Sequence, residues 1–293
     1  MNQIVTGLKK ELLYFWRSYR FLGLLLAFLG SALVGPLTSK MMLAMQPLYD
    51  ELSGMEGMES MSGMSDMLTM FEGESGLMMS YISSLALFSS PFMPPLMFVL
   101  IALIIGGACG GEQKKRSIIV PQTAGLTPAG YVLPKFMIFP PMFFVLTVLS
   151  ALIANGACGV LLGHSYPTEL VFVTGALTGM SLMFMTCMYM LFGIGLAQPK
   201  LAIIYVLLAN AVFPFINFAF NIKKYTPWSM DSEGMTGRII DNFANGKGYY
   251  DGIGVGSIVA TMGITLALSV VFLLLTYFAI VAKRMDNTAD EVY

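Results

Sequence analysis

Residues 111–136 read GEQKKRSIIVPQTAGLTPAGYVLPKF, a polar, proline-broken segment between two apolar runs. IALIIGGAC at 101–109 precedes it, and FMIFPPMFFVLTVLSALIA begins at Phe136. Apolar runs of that kind, cut by a short charged loop, are the pattern of a chain that crosses a bilayer and turns back. The composition agrees. Of 293 residues, 56% are hydrophobic and only 11% charged, where a soluble domain carries about a quarter charged residues. A net charge of −1 gives no basis for nucleic-acid binding.

A membrane helix needs about 20 mostly apolar residues. Six windows qualify, at about 21–44, 86–110, 133–161, 170–197, 200–221 and 257–282. The expectation is an all-α integral membrane protein, with residues 1–20 as an N-terminal helix and 21–293 as one six-span domain. An outer loop over 45–85 joins spans one and two, and a cytoplasmic loop over 111–135 joins spans two and three. Prolines recur in or near the windows at Pro36, Pro91, Pro94, Pro95, Pro140, Pro141 and Pro214. Breaks there are tolerated when neighbouring helices satisfy the freed carbonyls. The third window is long enough to tilt, or to be broken at Pro140-Pro141.

Basic residues set the orientation. With the N-terminus inside, eleven fall on the cytoplasmic side: Lys9, Lys10, Arg17, Arg20, Lys114, Lys115, Arg116, Lys135, Lys200, Lys283 and Arg284. Five remain outside, namely Lys40, Lys223, Lys224, Arg238 and Lys247. Both termini are therefore expected in the cytoplasm, in a multi-pass protein of the cell membrane. Ahead of span one, Ile4, Leu8, Leu12, Phe15, Trp16 and Tyr19 recur at spacings of three or four. They define an apolar face with Lys9, Lys10 and Arg17 off it, as in a helix lying against the inner surface of the lipid bilayer. The other reading is the cytoplasmic start of one long first helix.

Catalytic constellations are missing. His164 is the one histidine, beside Ser165 and Tyr166, and the windows hold almost no ionisable residues. A proton or sodium relay through membrane carboxylates therefore finds no support, and the chain is not expected to be an enzyme. No G-x-x-x-x-G-K-[ST] phosphate loop occurs, so any ATP and Mg would be held by a separate chain. Cys109, Cys158 and Cys187 lie in or at the ends of apolar runs, and read as buried small hydrophobes.

The segment 55–70, MEGMESMSGMSDMLTM, repeats methionine every third residue: Met55, Met58, Met61, Met64, Met67 and Met70. On an α-helix each steps back about 60°, whereas a three-residue turn would align them. Thioethers suit Cu(I) or Ag(I). A flexible greasy contact surface and plain low complexity are the competing readings.

The 111–136 segment resembles the first cytoplasmic loop of ABC-2 type transporter permeases. Gly111, Glu112, Lys115, Thr123, Thr127, Lys135 and Phe136 fall at matching positions. Arg116, Ser117 and Gly125 stand where the family has glycine, threonine and proline. The resemblance extends to an N-terminal connecting helix, to Pro227 in an outer segment before the last span, and to a short basic tail. It implies a permease that pairs with a second copy or a related permease and binds a separate ABC ATPase. Gly111, Glu112, Lys115, Arg116, Ser117, Thr123 and Thr127 would then form the coupling loop, with a short coupling helix beginning near Ser117. The implied activity is export of an amphipathic or apolar cargo such as a peptide, lipid or drug-like molecule. A Cu(I)- or Ag(I)-handling membrane protein, or a membrane scaffold or sensor, remains the alternative.

Overall fold

The computed structural model describes residues 2–17, 19–53, 73–89, 127–195, 199–220, 225–230 and 234–290. Those residues are mostly helical, with short turns between the helices and no strand among them. In chain order the helices are α1 (Asn2–Arg17), α2 (Tyr19–Ser53), α3 (Gly73–Ser89), α4 (Pro128–Leu162) and α5 (Thr168–Met190). Then come α6 (Pro199–Phe220), α7 (Met235–Ala244) and α8 (Val255–Asp290). A π-turn over Leu191–Gly195 ends α5, and a 3₁₀ turn over Pro227–Met230 precedes α7.

Four helical stretches are long and apolar enough to cross a membrane: Phe21–Leu48, Pro128–Leu162, Thr168–Gly195 and Val255–Ala282. They mark a membrane protein. The window at 200–221 coincides with α6, a helix of 22 residues, while most of 86–110 lies outside the described residues.

Helix α4 shows how local sequence sets the ends of an element. The Thr127 hydroxyl accepts from Gly130 N at 3.1 Å, and Pro128 opens the first turn, where a missing N–H costs nothing. At the other end Gly163 takes φ +79°, a left-handed cap that glycine adopts without strain. Between them Pro134, Pro140 and Pro141 all sit within continuous helix. The break allowed for at Pro140-Pro141 does not occur. α4 is packed against α1, α2, α3, α5 and α8, and a packed setting is where prolines are carried inside a membrane helix.

Helix α5 is the central post. Its spanning stretch is 83% buried, against 22% for that of α8. Lipid tails are as apolar as leucine, so helices in a membrane associate through close packing and small residues. Gly175 and Gly179 supply this on α5. A Cβ added at Gly175 would meet Ala151 Cβ at 2.9 Å, and one at Gly179 would meet Phe144 O at 3.1 Å. Gly35 does the same between α2 and α3, where any Cβ would overlap Ser80 O and Ser84 Oγ. Two buried clusters stack along the bundle. One runs from Phe15 through Phe139, Phe143 and Phe184, the other from Leu85 through Cys158 and Leu177 to Ile240.

Most buried hydroxyls are satisfied locally or across helices, as an apolar medium favours, although those of Ser39 and Thr178 have no hydrogen-bond partner among the described residues. Thr147, Thr174, Thr186, Thr261, Thr265, Ser269 and Thr276 each donate to the carbonyl four residues back. Others cross between helices: Ser84 Oγ donates to Ala32 O at 3.2 Å and Ser150 Oγ to Phe28 O at 3.0 Å. Cys158 and Cys187 are buried and free, Cys158 Sγ lying 3.4 Å from Ser80 Oγ. Cys109 lies outside the described residues.

Several boundaries differ from the hydropathy windows. α2 continues to Ser53 and α3 begins at Gly73, so both ends of the 45–85 loop are helical. Gln46, Asp50 and Glu51 end the apolar window without ending the helix. The serines of α3 hide a segment whose Leu77, Tyr81 and Leu85 are buried at spacings of four.

Candidate functional site

The first turns of α4 emerge from the 111–126 segment alongside α1, and the two helices run parallel in a constant register. Gln3 Oε1 accepts from the Thr127 hydroxyl at 3.1 Å and from Thr127 N at 3.4 Å. One turn on, Gly7 meets the backbone of α4; an added Cβ would lie 2.8 Å from Pro134 Cγ and 3.0 Å from Gly130 O. Pro134 has no N–H to give Gly130 O, so the close approach falls where that carbonyl lacks its usual helical partner. At the next turn Lys135 Nζ donates to Glu11 Oε1 at 2.6 Å. At the last, Phe15 packs edge-on against Phe139, with ring centroids 5.9 Å apart. Residues 3, 7, 11 and 15 thus form one stripe at spacing four. Three of them meet residues exactly 124 positions later.

The third rung carries the electrostatics. Lys135 is fully buried and Glu11 nearly so, and the ammonium also sits 4.9 Å from the centre of the Tyr131 ring. Removing both charges from water costs several kcal/mol per ion, and only close pairing recovers it. The pair is therefore weak as a source of stability and strong as a constraint. Either partner alone is intolerable in that setting, so α1 can occupy one position on α4 and no other.

Of the sequence-predicted coupling residues, Thr127 is in this ladder, as the cap of α4 and the partner of Gln3. Gly111, Glu112, Lys115, Arg116, Ser117 and Thr123 lie outside the described residues, as do Met55, Met58, Met61, Met64, Met67 and Met70. His164 is exposed in the turn after α4. Among the described residues no group of three His, Cys, Asp or Glu side chains forms a metal cluster. The apolar face read on α1 divides: Ile4, Leu8 and Phe15 turn at least partly inward, whereas Leu12 and Trp16 are exposed. Lys9, Lys10 and Arg17 are exposed as well.

At the far end of the bundle a cavity of about 140 Å³ is lined by Leu77, His164, Ser165, Tyr166, Phe243 and Ala244. Ligand pockets run from about 300 Å³ upward, so this one suits at most a very small molecule. Tyr166 is held in place by Asn155, which accepts from Tyr166 N at 2.8 Å and donates to Tyr166 O at 3.0 Å. The ladder between α1 and α4 is the more informative site.

Thr127 offers a direct check. Thr127→Ala removes the cap and the hydroxyl's bond to Gln3, leaving only the longer contact from the backbone N, and is expected to cost about 1 kcal/mol or somewhat more. Thr127→Ser should retain both bonds. Thermal unfolding of the detergent-purified chain separates the two outcomes.

No family model matches the chain, and no curated protein or solved structure matches it.

Proposed function

We propose that the chain is the membrane-spanning subunit of an ATP-driven exporter of the ABC-2 type, with the ATPase on a separate subunit. The observation that carries this reading is the α1–α4 ladder. It fastens the N-terminal helix, rung by rung, to the turns that immediately follow the 111–126 loop. A loop that receives a push from a soluble motor needs a stiff continuation into the membrane. Here the continuation is α4, one helix of 35 residues, braced by α1 over its first three turns. The loop residues Gly111, Glu112, Lys115, Arg116, Ser117 and Thr123, together with Thr127, are those that resemble the family's coupling segment.

In this reading the windows at 86–110 and 200–221 complete six spans, both termini face the cytoplasm, and two permease copies enclose the path. The cargo is amphipathic or apolar, in keeping with apolar windows that carry almost no ionisable residues.

The test is to tag the chain in its native host, purify it in detergent and identify what accompanies it. A co-purifying phosphate-loop protein with ATPase activity supports the reading. A chain that purifies alone and hydrolyses nothing removes it. A finer test is Glu112→Ala, expected to lower transport severalfold with membrane expression unchanged; undiminished transport would remove Glu112 from the coupling role.

A further inference from the structure

Beyond the ladder, α1 presents a second flank that no part of the proposed transport reading uses. Val5, Leu12 and Trp16 are 61%, 50% and 66% exposed, and with Leu8, Lys9 and Leu13 they line an open groove along the helix. Lys9 lies one turn beyond Val5 and two turns before Trp16, so its ammonium sits within an otherwise apolar strip. The one carboxylate of α1, Glu11, is turned inward onto Lys135. The charges that α1 exposes are therefore those of Lys9, Lys10 and Arg17, all positive.

The strip is also continuous with a membrane-facing surface. Trp16 stacks on Phe21, with ring centroids 4.8 Å apart and planes 29° from parallel. Phe21 is the first residue of the spanning stretch of α2, whose Leu22 and Leu26 are likewise exposed. Tryptophan at the end of a span is the residue type that settles at the level of lipid headgroups. Basic side chains beside it attract anionic lipid, and their aliphatic stems lie along apolar surface.

We propose that this flank of α1 is a binding surface for anionic phospholipid, with the headgroup phosphate at Lys9 and an acyl chain running from there along Leu12 and Trp16 towards Phe21. The inference needs only the membrane-spanning character of α2, so it stands or falls separately from the ATPase partner.

Trp16 is itself the reporter, because the chain has two tryptophans and the other is Trp228. The full chain carrying Trp228→Phe would be reconstituted into phosphatidylcholine vesicles containing a minor fraction of acyl-brominated lipid. Brominated phosphatidylglycerol should occupy the site about fivefold more strongly than brominated phosphatidylcholine, judged by quenching of Trp16. Lys9→Gln should bring that ratio close to one while quenching by phosphatidylcholine persists. If Trp228→Phe does not fold, the difference between the wild-type chain and Trp16→Phe yields the same signal. Equal quenching by the two lipids would overturn the headgroup assignment. A Trp16 quenched by neither would show that protein, not lipid, covers the strip, and would overturn the proposal altogether.

Discussion

Glu11→Leu on its own is expected to destabilise the folded chain by about 3–5 kcal/mol, because it strands the Lys135 ammonium in a fully buried position. The same should hold for Lys135→Met, which strands the carboxylate. In detergent either change would appear as a large fall in the thermal midpoint, or as aggregation on size exclusion. The pair of substitutions together should recover most of the loss, since an apolar pair of similar volume often replaces a buried ion pair at no cost. The double variant then separates structure from function. If it folds and transports, Glu11 and Lys135 serve only to position α1. If it folds and transport fails, the charged pair is part of how movement passes from the loop into α4. A single variant as stable as the wild type would mean that the two side chains do not share a buried site.

Gly35→Val is the second change expected to do severe damage. Any Cβ at that position overlaps Ser80 O and Ser84 Oγ of α3, and one contact is backbone, which cannot rotate away. Overpacking of this kind costs about 1–3 kcal/mol, sometimes more. Here it would also force Ser84 off Ala32 O, leaving a hydrogen bond unmade between two helices. Gly30 is the internal comparison, since a Cβ there meets nothing within 4 Å. Gly30→Ala should be neutral or slightly stabilising, as alanine is the better helix former by up to about 1 kcal/mol. The two variants, measured side by side by thermal unfolding, distinguish a packing contact from the general effect of losing a glycine. Equal midpoints would argue against the α2–α3 contact.

Much of this architecture could be read from hydropathy, because long apolar helices announce themselves by composition. The spans at 21–44, 133–161, 170–197 and 257–282 all correspond to observed helices. What the windows missed follows from averaging. α3 looked like loop because Ser75, Ser80, Ser83 and Ser84 dilute its hydropathy, although two of those hydroxyls turn inward to bond neighbouring groups. The joint between α1 and α4 was half visible. Thr127 drew notice as part of the loop, and Lys135 as a basic residue at the start of a span. Their partners on α1 did not, because no local pattern links residues 124 apart. One signal was available for Glu11: it lies three residues after Leu8 and four before Phe15, so a carboxylate falls inside an inward-facing stripe. Such a group demands a cation from elsewhere in the chain.

The depth of the Glu11–Lys135 pair has a consequence for how α1 is held under different solution conditions. At ordinary ionic strength mobile ions largely screen attractions between solvent-exposed charges more than about 8–10 Å apart, but reach buried pairs far less. α1 therefore has one attachment, to α4, that concentrated electrolyte leaves intact, and a second, through Lys9 to the bilayer surface, that it weakens. Ionic strength becomes a means of erasing the helix's preference for anionic lipid while keeping it in register with the protein.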